Sequence, residues 1–220
     1  MCRARVFDAL IVRPVGDVAG APRWLRAPPA GRPDLPGYPI VNHPILLQPM
    51  PGLLAAVRTV PDFPQPGVQF KDLTPVLADP DLFAEALGRL AAPWAGAAVT
   101  HVVGVEARGF WFGPALAARL GAGFVPARKP GKLPAATRRA AYALEYGADA
   151  LELHADALDP ADRVLVHDDV IATGGTAVAV CALVREAGAA VVGVSFVLEV
   201  AALGGRNRLN VPVEVALVVP

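Results

Sequence analysis

The strongest constraint on the fold is an alternation of short apolar runs and helical stretches after Met50. Runs typical of strands lie at residues 101–105, 123–127, 163–167, 190–198 and 213–219. Helices are predicted over residues 53–60, 80–90, 114–120 and 176–187, and Asp79 or Asp81 is the expected cap of the second. Strands separated by such helices are typical of a mostly parallel sheet with helices on both faces. The sequence therefore predicts one α/β domain over residues 50–220.

The first 49 residues differ in composition from the rest of the chain. They hold nine of the 23 prolines and six arginines, but no lysine or glutamate. Prolines at this density prevent a long helix, and little periodic apolar surface is left to bury. We therefore predict that residues 1–49 form a disordered extension. A second interpretation is that Met50 is the true start of the protein.

Charge and cysteine content argue against several classes of function. The 20 basic and 20 acidic residues cancel to a formal net charge of +0, whereas nucleic-acid-binding proteins normally carry a basic excess. No apolar run reaches the roughly 18 residues that suggest a membrane span. Cys2 and Cys181 form neither a disulfide framework nor a metal-binding spacing, which favours a reducing cytosol. We expect a cytoplasmic protein with no nucleic-acid or membrane partner.

Two adjacent aspartates, Asp168 and Asp169, follow the apolar run in RVLVHDDVIATGGTA. They repel each other at the end of a buried-looking strand, so a polyhydroxyl ligand or a cation is expected to compensate them. The glycines that follow precede a helix, and such a turn suits an anion. It has neither the lysine of a Walker loop nor GxGxxG spacing. The glycines alone would fit an ordinary strand–turn–helix connection without a ligand. Together with the two aspartates, they favour a sugar phosphate as the ligand, with its phosphate on the loop and its hydroxyls on the carboxylates.

This stretch resembles the phosphoribosyl pyrophosphate (PRPP) motif of the type I phosphoribosyltransferases. PDFPQPGVQFKDLTPVL, GVEARGFWFGPALA and ARKPGKLP…YALEYG further resemble the adenine phosphoribosyltransferases of that family. The resemblance runs in family order from about Leu53 to the carboxyl end. It implies the type I fold with a small N-terminal hood. It also implies an enzyme of purine salvage that transfers the phosphoribosyl group of PRPP to adenine, giving AMP and pyrophosphate.

Two alternatives to this function stay open at this point. Another purine or pyrimidine phosphoribosyltransferase would share the motif at residues 168–176, although the segment Phe63–Lys71 and the motif LEYG disfavour it. A PRPP- or purine-sensing regulator would keep the fold but bind DNA. That regulator needs a basic helix-turn-helix domain, which the proline-rich residues 1–49 cannot form.

The resemblance implies a role for each segment of the site. The ribose hydroxyls are expected on Asp168 and Asp169, and Mg²⁺ is expected to arrive with PRPP rather than in an all-protein cage. The 5-phosphate is expected on a loop made of Ala172, Thr173, Gly174, Gly175 and Thr176. Pyrophosphate is expected on two turns, which hold Glu106, Ala107 and Arg108 in one and Arg128, Lys129 and Lys132 in the other. A second subunit of a homodimer is expected to donate part of this clamp, and the peptide between Glu106 and Ala107 is expected to be cis.

The base site is implied in the same way. Adenine is expected to stack on Phe70, with the backbone of Gln69 reading the base edge and Lys71 nearby. Glu145 resembles the carboxylate near purine N7, in a lid over residues 137–145 without clear strand or helix order, and Tyr146 follows it. The catalytic roles are then expected of Arg108, Glu145, Asp168 and Asp169. Gln69, Lys71 and His167 depart from the residues usual in the family, and His167 is interpreted as a core group without a chemical role.

Overall fold

The computed structural model describes residues 51–143 and 148–220. The predicted extension, residues 1–49, and the lid residues Glu145 and Tyr146 lie outside the described residues. The α-helices of the described part are Pro51–Ala56 (α1), Thr74–Ala78 (α2), Pro80–Ala91 (α3), Gly109–Leu120 (α4) and Gly175–Glu186 (α5). Its strands are Arg58–Pro61 (β1), Gln69–Asp72 (β2), His101–Val105 (β3), Gly123–Ala127 (β4), Thr137–Ala143 (β5), Ala148–His154 (β6), Arg163–Ile171 (β7), Ala190–Val200 (β8) and Val213–Val219 (β9).

A five-stranded sheet in the order β4-β3-β7-β8-β9 forms the centre of the domain. Each neighbouring pair of strands runs parallel, which confirms the predicted α/β class. The strands β3 and β7 are buried along most of their length, because a parallel sheet is covered on both faces. Within residues 51–143 and 148–220, each helix is too short or too polar to cross a membrane.

Two apolar clusters cover the two faces of the sheet. On one face, Val180 of α5 lies in a cluster with Val166 of β7. On the other face, Phe112 of α4 and Leu90 of α3 lie in a cluster with Leu165 of β7. Neighbouring residues of β7 therefore face different helices, as the period of two along a strand requires. The sheet is held from both sides, so the ends of its central strands have fixed positions.

The start of α3 follows from its sequence. Oδ1 of Asp79 accepts hydrogen bonds from the backbone N–H groups of Asp81 (2.9 Å) and Leu82 (3.1 Å). Pro80 occupies the first helical turn, where its missing N–H costs nothing. Of the two predicted caps, Asp79 is therefore the one that the helix uses.

The predicted helix over residues 53–60 is wrong in its second half. The helix α1 ends at Ala56, and the chain then forms β1, which pairs antiparallel with β2. Val60 lies opposite Phe70, and Nε of Arg58 donates a 2.9 Å hydrogen bond to Asp72. These cross-strand contacts outweigh the helical pattern of the isolated segment. The helix α4 also differs, since it begins at Gly109 and not at Pro114.

The expectation that residues 137–145 lack regular structure is wrong for Thr137–Ala143. These residues form β5, which pairs antiparallel with β6 along its whole length. Leu151 and Leu153 of β6 are buried in the same cluster as α5. One face of the hairpin therefore packs into the main core. The sequence of β5 alone does not reveal this packing, because the buried residues belong to its partner strand β6.

Candidate active site

Three segments gather at the carboxyl edge of the sheet. The strands β4, β3 and β7 are parallel neighbours, so the segments that follow them emerge at the same edge. Gly109 shows how closely two of these segments approach. A Cβ atom built on it would lie 2.9 Å from the carbonyl oxygen of His167 and 3.1 Å from Oδ1 of Asp168. The turn before α4 thus contacts the acid pair (Asp168 and Asp169) at the place where open parallel sheets bind ligands.

The acid pair lies inside β7, which continues to Ile171. The prediction that the strand ends at His167 is therefore wrong. The strand is longer because β8 runs beside it as far as Val200 and pairs with it beyond the acid pair. Asp169 is only 2% exposed, and Asp168 is half-buried. Two carboxyl groups thus sit in a largely dry environment.

Burial raises the pKa of both carboxyl groups. For Asp168, burial is the largest cause and the charge of Asp169 adds to it. For Asp169, burial raises the pKa and the guanidinium of Arg108 opposes the rise. Oδ1 of Asp168 also accepts a 2.9 Å hydrogen bond from the backbone N–H of Asp169. The ionised pair is short of positive partners, so hydroxyl donors or a cation would stabilise it.

Arg108 links the acid pair to the predicted base site. Its Nε lies 3.0 Å from Oδ2 of Asp169, and its Cζ lies 4.9 Å from the centre of the Phe70 ring. A guanidinium over an aromatic face is a favourable contact. The peptide between Glu106 and Ala107, just before Arg108, is cis, which confirms the prediction. The structure therefore brings together the predicted catalytic arginine, sugar-binding carboxylates and stacking ring.

The glycine loop (residues 172–176) connects β7 to α5. Gly174 has a φ of +79° and is the N-cap of α5, a conformation that glycine adopts without strain. A cleft of about 90 Å³ is lined by this loop, Asp168, Val170 and Phe196, with Ile171 and Ala177 at the two ends of the loop. Backbone N–H groups at the amino end of a helix suit a phosphate group. The loop and one carboxylate of the acid pair therefore share a single cleft.

A larger cavity of about 370 Å³ lies at the opposite edge of the sheet. It is lined by Gly88 and Ala91 of α3, by Trp94 and small apolar residues of the segment that follows α3, and by Arg119 and Leu120 at the end of α4. None of the predicted site residues lines it. Its size alone therefore does not make it the active site.

The basic turn (residues 128–132) is tied to acidic partners. Glu106 accepts hydrogen bonds from Nε (3.0 Å) and Nη2 (3.2 Å) of Arg128 and from the backbone N–H of Lys129 (2.8 Å). Hydrogen bonding to Arg128 holds the pKa of Glu106 below its usual range. Nζ of Lys129 forms an ion pair with Asp149. Lys132 is exposed, so its ammonium group is the one that the turn presents outward.

Sequence reading missed the acidic residues of β6 that organise this turn. The backbones of Arg128 and Glu152 exchange two hydrogen bonds, of 2.9 and 2.7 Å. Oε2 of Glu152 also accepts a 3.1 Å hydrogen bond from the N–H of Gly131. Asp149 lies on the same strand. The alternation of apolar and polar residues in ADALELH, which is typical of a strand, is the signal that could have revealed them.

The predicted base segment lies on the hairpin of β1 and β2. The ring of Phe70 meets that of Phe63 edge to face, with centres 5.1 Å apart. Nζ of Lys71 donates a 3.0 Å hydrogen bond to Oγ1 of Thr59, and Gln69 is exposed. Phe70 therefore packs against the ring of Phe63 and has Arg108 over its face.

His167 lies within β7 and is fully buried. Its ring centre is 6.5 Å from that of Phe112 on α4. Burial lowers the pKa of His167 to about 4, and the backbone of Ser195 opposes the shift only in part. The ring is therefore neutral near pH 7, which agrees with its interpretation as a core group.

The fold and the site together define a phosphoribosyltransferase, and the family model described as the phosphoribosyl transferase domain matches residues 81–211. An adenine phosphoribosyltransferase of Myxococcus xanthus is 56% identical to this chain over 158 residues, 72% of this chain and 86% of that protein. The crystal structure of the Rhodothermus marinus enzyme of that name is 55% identical, with a TM-score of 0.74 over 76% of this chain and 96% of that one. The chain belongs to the adenine phosphoribosyltransferase family, whose members transfer a pentosyl group in purine salvage.

A third similar structure carries ligands. The Saccharomyces cerevisiae adenine phosphoribosyltransferase, crystallised with an imino-altritol bisphosphate and adenine, is 40% identical and has a TM-score of 0.71 over 74% of this chain and 95% of that one. These comparisons confirm the resemblance found in the sequence. They do not favour the two alternatives, another phosphoribosyltransferase or a regulator.

Proposed function

We propose that this protein transfers the phosphoribosyl group of PRPP to adenine and releases AMP and pyrophosphate. The observation that carries the proposal is that the acid pair, the glycine loop and the ring of Phe70 lie close together at one edge of the sheet. Arg108 contacts Asp169 on one side and Phe70 on the other, and Asp168 lines the cleft of the glycine loop. Groups suited to a sugar, a phosphate and a flat base are thus within reach of one substrate pair.

The glycine loop and the acid pair would hold the ribose 5-phosphate part of PRPP. The loop amides and the amino end of α5 bind the 5-phosphate. Asp168 and Asp169 would accept hydrogen bonds from the ribose hydroxyls, which would compensate the burial that raises the pKa of both carboxyl groups. As the bond to pyrophosphate breaks, positive charge develops at the anomeric carbon. The fixed negative charge of the acid pair stabilises that charge.

Arg108 and Lys132 would stabilise the leaving pyrophosphate. The guanidinium of Arg108 offers a planar fork of donors that matches phosphate oxygens. Lys132 is exposed on the basic turn, and Arg128 fixes that turn through Glu106. Arg108 and Lys132 would thus face the developing negative charge, while Arg128 and Glu106 keep the turn in place.

Gln69 would read the base through its backbone. Purine N1 accepts a hydrogen bond from its N–H, and its carbonyl oxygen accepts one from the 6-amino group. The residue opposite Gln69 in the hairpin is Pro61, which has no N–H and so cannot occupy that carbonyl oxygen. Phe70 supplies the stacking surface. A 6-oxopurine reverses both hydrogen-bonding groups and is expected to be disfavoured.

Glu145 would act on the base in the reverse reaction. Its carboxyl group, in protonated form, is proposed to donate to purine N7 as the base departs. Tyr146 is proposed to line the same substrate site. The motif YALEYG supports both roles.

Mg²⁺ is proposed to enter with PRPP. Among residues 51–143 and 148–220, no group of three or more histidine, cysteine, aspartate or glutamate side chains could hold a metal ion. The ion would instead be held by oxygens of the pyrophosphate and ribose groups of PRPP. Bound in this way, the ion neutralises charge on the pyrophosphate group.

We also propose a homodimer in the cytoplasm. The resemblance to the family implies that a neighbouring subunit donates part of the pyrophosphate clamp, which supports a dimer. The cysteine content fits a reducing compartment. Light scattering on the purified protein is expected to give twice the chain mass, and a monomer that is fully active would contradict this part of the proposal.

A pyrophosphate-release assay with a panel of bases tests the proposed function. Purified protein, PRPP and Mg²⁺ are expected to release pyrophosphate when adenine is present. Release with hypoxanthine, guanine or a pyrimidine as the preferred base would favour another phosphoribosyltransferase. Tight PRPP binding without release with any base would favour a regulator.

A further inference from the structure

The turn that follows β8 packs backbone to backbone against the glycine loop. We call this turn, Gly205–Arg208, the backing turn. A Cβ atom built on Gly174 would lie 2.5 Å from the carbonyl oxygen of Gly205, and one built on Gly205 would lie 2.2 Å from that of Ala172. No side chain fits between the two segments. The position of the glycine loop is therefore coupled directly to that of the backing turn.

Arg206 ties the backing turn to the sheet. Its Nε lies 3.2 and 3.1 Å from the two carboxylate oxygens of Glu199, and its Nη2 donates to Oε2 of Glu199 at 2.7 Å. Its Nη1 donates to the carbonyl oxygen of Val213 at 2.5 Å, at the start of β9. Glu199 is 8% exposed and lies opposite Ile171 of β7. A bidentate pair to a buried carboxylate is a geometrically specific anchor.

A second tie runs from the same turn to the glycine loop itself. Nη1 of Arg208 donates a 3.3 Å hydrogen bond to the carbonyl oxygen of Thr173. That carbonyl belongs to the peptide whose N–H is on Gly174, within the loop. Arg206 thus fixes the backing turn to the sheet, and Arg208 fixes one peptide of the loop to the backing turn.

We infer that Arg206, acting through Glu199, is a positioning residue for the glycine loop. It holds the backing turn as a rigid support, so that the loop amides stay aimed at the 5-phosphate before substrate arrives. Amides that are fixed in advance bind an anion better than amides that must be ordered on binding. The inference rests on the proposed function, because it assigns the 5-phosphate to this loop.

Replacing Arg206 by methionine tests this role, because methionine keeps the apolar stem and removes the guanidinium. We expect the KM for PRPP to rise about tenfold or more, with the KM for adenine within about twofold of the wild-type value. Arg206→Lys should restore part of the PRPP affinity. If Arg206→Met does not fold, Arg208→Met at the exposed tie is expected to raise the KM for PRPP about threefold.

Arg89→Met is the matched control. Nη2 of Arg89 donates to Glu85 at 2.6 Å and its Nη1 to the carbonyl oxygen of Ala216 in β9 at 3.4 Å. Arg89 therefore also joins a carboxylate to β9, but away from the glycine loop. Its loss should lower the thermal midpoint and leave the KM for PRPP unchanged. The same pattern in Arg206→Met would overturn the inference.

Direct binding separates this inference from the proposed function. Calorimetric titration with ribose 5-phosphate does not depend on turnover or on the base. Wild-type protein is expected to bind it, and Arg206→Met to bind it about tenfold more weakly. Equal binding by the two proteins would contradict the role of Arg206 alone. Wild-type protein that binds ribose 5-phosphate but releases no pyrophosphate would instead contradict the proposed function.

Discussion

The two halves of the candidate site are built in different ways. The sugar-phosphate half, residues 168–176, is one continuous piece of chain that passes from β7 through the glycine loop into α5. The base half is assembled from separate segments, because Phe70 on β2 contacts both Phe63 from the loop after β1 and Arg108, the proposed pyrophosphate ligand, from the turn before α4. The continuous half is fixed by the sheet and a helix, whereas the assembled half depends on contacts between elements far apart in sequence.

This difference separates the chemistry from the choice of base. The acid pair and most of the glycine loop are buried or half-buried, and charges there act strongly in a low-dielectric setting. The base half contains the exposed Gln69 and the half-buried Phe70 and Lys71, where single contacts are worth less. We therefore expect substitutions in the sugar-phosphate half to affect turnover, and those in the base half to affect recognition of adenine.

The largest effect is expected from Asp168→Asn and Asp169→Asn together. Asparagine keeps the size of each side chain but removes the charge that stabilises the transition state, so kcat should fall about a thousandfold. Because burial raises the pKa of both carboxyl groups, removing their charge should leave the free energy of unfolding unchanged or higher. Turnover assays and urea denaturation measure the two quantities.

The exposed Asp81 near the start of α3 offers a control for the double variant. Asp81→Asn removes a carboxylate outside the site and should keep wild-type turnover. Near-normal turnover in the Asp168→Asn/Asp169→Asn protein would remove the basis for the sugar-binding role.

The second effect is the pH dependence of the unfolding free energy, and it comes from His167, the residue that precedes the acid pair in β7. His167 has a pKa of about 4 in the fold against an ordinary value of 6.5, so below pH 6.5 the unfolded chain takes up a proton that the folded chain does not. Stability contributed by the neutral ring is complete above pH 6.5 and is lost as the pH falls toward 4. The difference between these two pKa values corresponds to about 3 kcal/mol of unfolding free energy.

His167→Leu tests this pH dependence. Urea denaturation at several pH values between 7.5 and 4.5 should show a smaller loss of unfolding free energy in the variant than in the wild-type protein. Parallel curves for the two proteins would show that the histidine is not the titrating group.

A smaller effect is expected from Phe70→Ala in the base half. Stacking on an aromatic ring contributes about 1–3 kcal/mol per base, so the KM for adenine should rise at least about fivefold. The affinity for PRPP should stay near the wild-type value. Phe63→Ala, which removes the aromatic neighbour of Phe70, should change the KM for adenine less. A matching loss of PRPP affinity in Phe70→Ala would show that the two halves are not separable.

No effect is expected from removal of residues 1–49. A protein that begins at Met50 retains both halves of the site, so its thermal midpoint and its kcat/KM should equal those of the full chain. Loss of either would show that these residues belong to the domain.

The continuous half was largely predictable from sequence because its signals are local. The helix predicted over residues 176–187 is α5, Gly175–Glu186, and the strand predicted over residues 163–167 is the first part of β7. The acid pair and the glycines stand next to each other in the chain, so their proximity in space needed no knowledge of the fold. Only the end of β7 was wrong, because the length of β8 beside it decides how far the strand runs.

The assembled half was less predictable because its contacts are not local. The strand β1 forms because it pairs with β2, and this pairing brings Arg58 opposite Asp72, to which it donates a hydrogen bond. The resemblance supplied Phe70 and Arg108 as residues, but not the contact between Arg108 and Asp169. The Arg206–Glu199 anchor was not foreseen, since nothing in the local sequence shows that the turn after β8 returns to the glycine loop.

The central claim is that this site transfers the phosphoribosyl group to adenine in preference to 6-oxopurines. One competition measures it directly, with equal concentrations of adenine and hypoxanthine, limiting PRPP, and chromatographic separation of AMP from IMP. The ratio of products equals the ratio of kcat/KM values. Two mismatched groups that the bound base removes from water cost about 1–3 kcal/mol each, which predicts an excess of AMP of about thirtyfold or more. Comparable amounts of AMP and IMP would contradict the adenine assignment.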